Sequence, residues 1–151
     1  MCKEKRYSNK TYSLKLVRES KPEYKVACSE DVFSYVKNVI VPLLWGKNVE
    51  VFGFIGLDTS NQIILVDFSQ QGGVNESRVY IAEIAKKLLL SNSTQVILVH
   101  NHPSGNLKAS GADVSITEKI KEALSYFDIR VLDHLITGED YYLSFKETGL
   151  L

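Results

Sequence analysis

The sequence predicts an α/β fold, a single-domain mixed β-sheet flanked by helices. Strand-like runs at 49–57, 62–68, 95–100 and 130–136 are interleaved with helical spacing at 29–44, 77–90 and 111–127. Within 95–100, Val96-Ile97-Leu98-Val99 is a continuous apolar run, as a central strand buried on both faces requires. The length of 151 residues and 44% hydrophobic composition suit one ordinary globular domain with its own core.

The elements follow in order. Residues 11–17 alternate weakly, as an edge strand would. Ser29 reads as an N-cap, with Glu30 and Asp31 in the first turn of a helix that runs to about Leu44. Pro42 weakens its last turn and Gly46 closes it. Residues 49–57 form the clearest strand, and Asp58-Thr59-Ser60-Asn61 turns it into the strand 62–68 as a hairpin. Gly72-Gly73 interrupts the chain before a helix from about Ser77 to Leu90, with Ile81, Ala85, Leu88 and Leu89 on one side. A second amphipathic helix, about 111–127, carries Ile116, Ile120, Leu124 and Phe127 at helical spacing. Strand 130–136, a Gly138-Glu139-Asp140 turn and a short strand 141–145 complete the pattern.

Composition excludes several classes of function. Lys plus Arg equals Asp plus Glu, 18 each, so no global field draws nucleic acid or an anionic membrane. Residues 1–25 do hold eight Lys/Arg against three Glu, read here as a solvated terminus, and 1–28 is set apart as a basic segment with an edge strand. Cys2 and Cys28 belong to no C-x-x-C pair, so neither a thiolate zinc site nor a disulfide framework is supported. The N-terminus has charge without an apolar core and no run is long enough to span a bilayer, which leads us to expect a cytoplasmic protein without a leader.

The chemistry is concentrated at 100–113. His100 and His102 lie at i and i+2 after the apolar strand, so an extended backbone aims both imidazoles to one side. Asp113 could add an oxygen if the loop folds back, and two histidines with a carboxylate form a ligand set for catalytic zinc. Ser110 and Asp113 also have a purely structural reading, since Ser-x-x-Asp before an apolar-periodic segment is a capping box. A ligating Asp113 oxygen is not free to cap, so the two readings agree only in part. Along 49–57, Glu50 shares a face with Phe52, Phe54 and Gly56, opposite Val51, Gly53 and Ile55. It is either at the exposed end of its strand or a general base whose pKa desolvation raises. His134 shares a face with Leu132 and Ile136 and reads as a packed core residue or a partner to the site, since a third histidine ligand would close the position that catalysis needs open.

His100-Asn101-His102-Pro103-Ser104-Gly105 with Ser110 and Asp113 resembles the H-x-H-P…S-x-x-D motif of the JAMM (MPN-type) metalloproteases. Asp128 to Ile136, Ser144-Phe145 and Gly149-Leu150-Leu151 resemble the bacterial RadC branch, and the likeness covers 29–151. The resemblance implies the JAB/MPN architecture, related to that of cytidine deaminases. It implies zinc held by His100, His102 and Asp113, with Glu50 activating water and Ser110 stabilising the oxyanion. It also implies a protein or peptide substrate and an association with DNA repair. Ala109 stands where such sequences often have proline, and Ala82-Glu83 where an Arg-Glu pair is common. The chain resembles a short form without the helix-hairpin-helix segment of longer RadC proteins, so direct nucleic-acid binding is not expected to carry over.

The leading expectation is therefore a zinc-dependent hydrolase of peptide or isopeptide bonds. A non-catalytic interaction module in recombination or repair is the alternative. A metal-dependent nuclease is disfavoured, because HNH nucleases spread those residues over two strands and a helix. Zinc deaminase chemistry lacks its Pro-Cys-x-x-Cys half. The edge at 11–17 could pair with a second copy of the chain, giving a homo-oligomer.

Overall fold

The computed structural model describes residues 24–40, 50–71 and 79–151. Among the described residues, five strands, β1 (Val51–Leu57), β2 (Ile63–Gln71), β3 (Gln95–Asn101), β4 (Arg130–Thr137) and β5 (Tyr142–Ser144), form one mixed sheet in the order β2-β1-β3-β4-β5. β3 and β4 run parallel, and the other three pairings are antiparallel. The helices are α1 (Ser29–Tyr35), which continues into π-helical turns at Val36–Ile40, then α2 (Ile81–Leu90), α3 (Gly111–Ser125) and a short α4 (Phe145–Thr148). A parallel pair cannot be joined by a tight turn, and α3 supplies the crossover between β3 and β4. The expected α/β fold is thus the one observed.

Strand alternation divides the interior into two cores. Ile55, Leu57, Ile97, Val99 and Leu135 pack with Val32, Phe33 and Val36 under α1. Phe52, Phe54, Val96 and Leu98 pack with Ile84, Ala85 and Leu88 of α2 and Ile120 and Leu124 of α3. Val96 to Val99 are buried on both faces, and burying each such side chain stabilises the fold by about 1.5–3 kcal/mol. β3 is therefore the rigid centre from which His100 projects. Even-numbered residues of β1 and β3 face α3, which sets Glu50, Phe52, Phe54 and His100 on one side.

The expected β1–β2 hairpin is present. Asp58 Oδ1 accepts the N–H groups of Ser60 (2.8 Å) and Gln62 (3.0 Å), and Asn61 takes the left-handed conformation that closes the turn. Gly53 lies where the β1–β2 register shifts, and a Cβ there would come within 2.3 Å of the Phe68 ring and 2.6 Å of the Asp67 carbonyl. Cys28 is a free, exposed thiol.

Several expectations are corrected. Ser29 is not an N-cap but the first helical residue; Cys28 is the cap. Asp31 Oδ2 satisfies the helix entry instead, accepting from Ala27 N (2.7 Å) and Cys28 N (3.1 Å), while the Ser29 hydroxyl donates to Asp133 Oδ2 at 3.0 Å. Those backbone bonds hold the Asp31 carboxyl below its ordinary pKa. α2 turns Ile84, Ala85 and Leu88 inward, which rotates Leu89 out to 45% exposure. Phe127 is exposed because α3 ends at Ser125 and the chain reverses through Asp128, at φ 57°. The expected strand 141–145 stops at Ser144, whose hydroxyl caps α4 by accepting from Glu147 N at 3.0 Å. A register irregularity between Val131 and Asp133 puts Leu132 with the α1 core, away from the side His134 faces. Pro42, Leu44 and Gly46, the strand 11–17, Val49, the Gly72-Gly73 break and Ser77 lie outside the described residues.

Candidate metal centre

Four side chains from three elements meet at the C-terminal end of β3. His100 is the penultimate residue of β3 and pairs with Phe52 of β1, which places Glu50 two residues further along the same face. His102 follows the strand, and its N–H donates to Thr137 O at 2.9 Å, so the β3–β4 ladder still holds it. The loop from Pro103 then returns the chain to Ser110, where α3 begins with Asp113 in its first turn. One ligand atom each from Glu50, His100 and His102 lie within 4.8 Å of one another.

The two imidazoles touch through their Nε2 atoms, 2.8 Å apart. Glu50 Oε1 is 3.8 Å from His100 Nε2 and 3.9 Å from His102 Nε2. Asp113 lies equally near, with Oδ1 3.4 Å from His100 Nε2 and Oδ2 3.8 Å from His102 Nε2. His100 and Asp113 are buried, whereas the Glu50 side chain keeps 25% of its surface exposed. The first carboxylate is thus enclosed, and the second is at the mouth.

Hydrogen bonding decides which nitrogens carry protons. His102 Nδ1 meets the Asn106 carbonyl, which can only accept, so Nδ1 carries a proton and Nε2 is the nitrogen turned to His100. His100 Nδ1 is 2.9 Å from His134 Nε2, inside the core. Burial pushes His100 down to about 4, against the pull of the Asp113 carboxylate and with the aid of His102. Burial also holds His134 well below the usual imidazole range, helped by the other two rings. Both are neutral near pH 7, the form in which imidazole ligates a metal.

Two imidazoles that turn Nε2 to one point, flanked by two carboxylates, fit a divalent cation. His100 and His102, with Glu50 or Asp113, could hold it. The nitrogen and oxygen donors match what zinc accepts.

Ser110 and Asp113 form the expected capping box without excluding Asp113 from the centre. Ser110 Oγ accepts from Asp113 N at 3.1 Å, and Asp113 Oδ2 accepts from Ser110 N at 2.7 Å. Asp113 Oδ1 is still turned to His100, so a carboxylate with two oxygens reconciles readings that agreed only in part at the level of sequence. Ser110 spends its oxygen on the cap and keeps its hydroxyl proton available.

Thr117 was missed by sequence reasoning. It is buried one turn after Asp113, its Oγ1 donating to Asp113 O (2.6 Å) and meeting His134 Nδ1 (2.6 Å). Its position at i+4 from Asp113, in line with Ile120 and Leu124, was the available signal. His134 is a packed core residue that also touches the site, as the two readings of it allowed.

The profile of the family described as RadC-like JAB domain matches residues 26–150. The chain is 38% identical over 147 residues to a UPF0758 protein of Janthinobacterium sp. (strain Marseille), covering 97% of this chain and 66% of that one. It is 44% identical over 108 residues to a UPF0758 protein of Nitrosospira multiformis, covering 72% and 48%. A UPF0758 protein of Stenotrophomonas maltophilia (strain K279a) is 42% identical over 108 residues, covering 72% and 46%. The chain thus spans about half to two thirds of the length of these relatives.

Proposed function

This chain belongs to the RadC-like JAB domain family, and from that membership and the site at the end of β3 we propose that it is a zinc-dependent hydrolase of peptide or isopeptide bonds. The observation that carries the reading is the convergence of Glu50, His100 and His102 ligand atoms within 4.8 Å. His100, His102 and Asp113 would hold the ion, because Asp113 is buried and tethered by its cap while both rings turn Nε2 toward the same point. Zinc in such a site supplies Lewis acidity, bringing the pKa of water to about 7 and polarising a carbonyl.

The remaining steps belong to this chain. Glu50, on the solvent side of the imidazoles, accepts the proton of the attacking water and returns it to the leaving amine. Ser110 donates its hydroxyl proton to the oxygen on which negative charge develops, an interaction stronger in the transition state than in the ground state. His134 and the core behind His100 keep water from the inner side of the site.

Metal analysis of the purified protein, joined to cleavage assays on linear and isopeptide-branched peptide libraries, tests this. The expected result is one zinc per chain and cleavage abolished by Glu50→Gln with zinc retained. A protein without stoichiometric zinc, or cleavage unchanged in His100→Ala, sinks the proposal. An interaction module in recombination or repair would instead leave Glu50→Gln without a phenotype.

A further inference from the structure

We propose that His134 and Thr117 are positioning residues that lock His100 in the tautomer whose Nε2 lone pair faces the metal centre. This deepens the functional reading above and rests on it for its link to zinc.

Protons run along one buried chain of contacts. Thr117 has a single hydroxyl proton and two short contacts, to the Asp113 carbonyl and to His134 Nδ1, both at 2.6 Å. A carbonyl oxygen can only accept, so the Thr117 proton goes to Asp113 O. Thr117 Oγ1 is then an acceptor, and His134 Nδ1 carries a proton for it. Neutral His134 therefore presents a bare Nε2 to His100, 2.9 Å from its Nδ1. His100 Nδ1 donates there, and its Nε2 is left unprotonated.

Reversing the chain leaves a contact without a proton. If Thr117 donated to His134, the 2.6 Å approach of its oxygen to the Asp113 carbonyl would set two lone pairs together inside the core. His134 Nε2 would then donate to His100, and His100 Nε2–H would point at the site. Each arrangement leaves one contact without a proton. The first leaves His100 Nε2 against His102 Nε2, 2.8 Å apart at the part-exposed side of the centre, where a cation or water can take both lone pairs. The second leaves Thr117 Oγ1 against Asp113 O inside the core, where an unsatisfied polar contact costs about 1–3 kcal/mol.

The circuit also closes on the site itself. Asp113 presents its carboxylate to His100 Nε2, and its own backbone carbonyl anchors the hydroxyl that orients His134. One helical turn of α3 thus fixes a carboxylate and, through Thr117 of the same helix and His134 of β4, the imidazole beside it. Ring stacking supports the orientation: Phe145 lies 4.7 Å from the His134 ring and Phe52 meets it edge-on at 5.7 Å.

Nitrogen-15 NMR of histidine-labelled full-length protein tests the claim first without metal, at about pH 8, above the ordinary imidazole pKa. We expect His100 as the Nδ1–H tautomer; an Nε2–H signal in the wild type overturns the proposal whether or not zinc binds. Zinc titration against a competing chelator then compares variants. His134→Phe, which keeps an aromatic ring and removes the acceptor, is expected to weaken zinc binding by about 10–100-fold and to mix the His100 tautomers. His134→Gln, whose amide oxygen can replace Nε2 as acceptor, is expected to restore both readouts. Thr117→Val is nearly isosteric and covers the case in which His134→Phe does not fold; it should shift the tautomer balance in the same direction. Wild-type affinity with an unmixed tautomer in a folded His134→Phe or Thr117→Val protein overturns the role. If the wild type binds no zinc, the hydrolase reading fails, while the tautomer measurements still decide this one.

Discussion

Ser110 and Asp113 cap each other across the first turn of α3, Asp113 Oδ2 taking the Ser110 N–H at 2.7 Å and Ser110 Oγ taking the Asp113 N–H at 3.1 Å. The same carboxylate keeps its other oxygen 3.4 Å from His100 Nε2. Stability and ligation therefore share one side chain and can be separated by substitution. Asp113→Asn retains an amide oxygen for the cap and loses the charge. Its denaturation midpoint should stay near wild type while zinc affinity falls steeply. Asp113→Ala should lose both, with a cap cost of about 1 kcal/mol in urea titration.

Ser110→Ala removes the cap acceptor and the hydroxyl proton together. We expect a loss of about 1 kcal/mol of stability from the helix terminus. Any peptide hydrolysis should fall by about 10²–10³ in kcat, the size expected for one donor to a developing oxyanion. Zinc content should be unchanged, which separates this variant from those at His100 and His102.

Asp133 gathers four donors: Ser144 Oγ at 2.6 Å, Ser29 Oγ at 3.0 Å, His134 N at 2.7 Å and Lys146 N at 3.0 Å. It ties α1, β4, β5 and α4 into one block behind the metal centre. Asp133→Ala leaves several of these donors buried without an acceptor, and we expect a loss of about 3 kcal/mol or more in chemical denaturation. A change below about 1 kcal/mol, the scale of a single surface contact, would show that water replaces the carboxylate.

Asp67 and Lys87 provide a pH test away from the site. Burial pushes the Asp67 carboxyl up, but bonds from Lys87 and Ser69 outweigh it and its pKa lies below the ordinary carboxylate value. A depressed folded pKa stabilises the protein above the unfolded value of about 3.9, and the contribution is lost as pH falls through the folded one. The stability gap between wild type and Lys87→Met should thus be full near neutral pH and close in acid. A gap that persists undiminished in strong acid would show that Lys87 acts through its packing alone.

Gly53→Ala should be more damaging than a typical surface change. Its Cβ would meet the Asp67 backbone carbonyl at 2.6 Å, and backbone cannot rotate away as a side chain can. The β1–β2 register shift at this point would have to re-form. A thermal midpoint equal to wild type would refute the assignment of this glycine to close strand approach.

The candidate site was legible where chemistry and local periodicity coincide. His100 and His102 share a face because extended backbone alternates, and Ser110 and Asp113 sit at helix-start spacing. Glu50 stood between an exposed strand end and a general base until a resemblance gave it a role, since nothing local tells which strand β1 pairs with. Thr117 was illegible for a related reason: a hydroxyl on a helix reads as surface until the partner across it, His134 on β4, is known. Elements failed at their ends. Ser29 lost its cap role to an aspartate inside the helix, and Leu89 and Phe127 turned outward where hydrophobic spacing ran past the buried stripe. Leu132 changed sides because a strand irregularity cancels simple alternation, and irregularities leave little trace in a single sequence.

The pairing of Phe52 with His100 has a wider meaning for variants of this protein. It works as a ruler: Glu50 reaches the imidazoles because β1 is held at one notch against β3. A slip of one residue would turn every β1 side chain to the opposite face. Glu50 would then lie under α1 while the strands remained paired and the cores remained apolar. Repacking mutations in β1 can therefore produce a silent protein that is fully folded, and preserved secondary structure is no certificate of an intact centre.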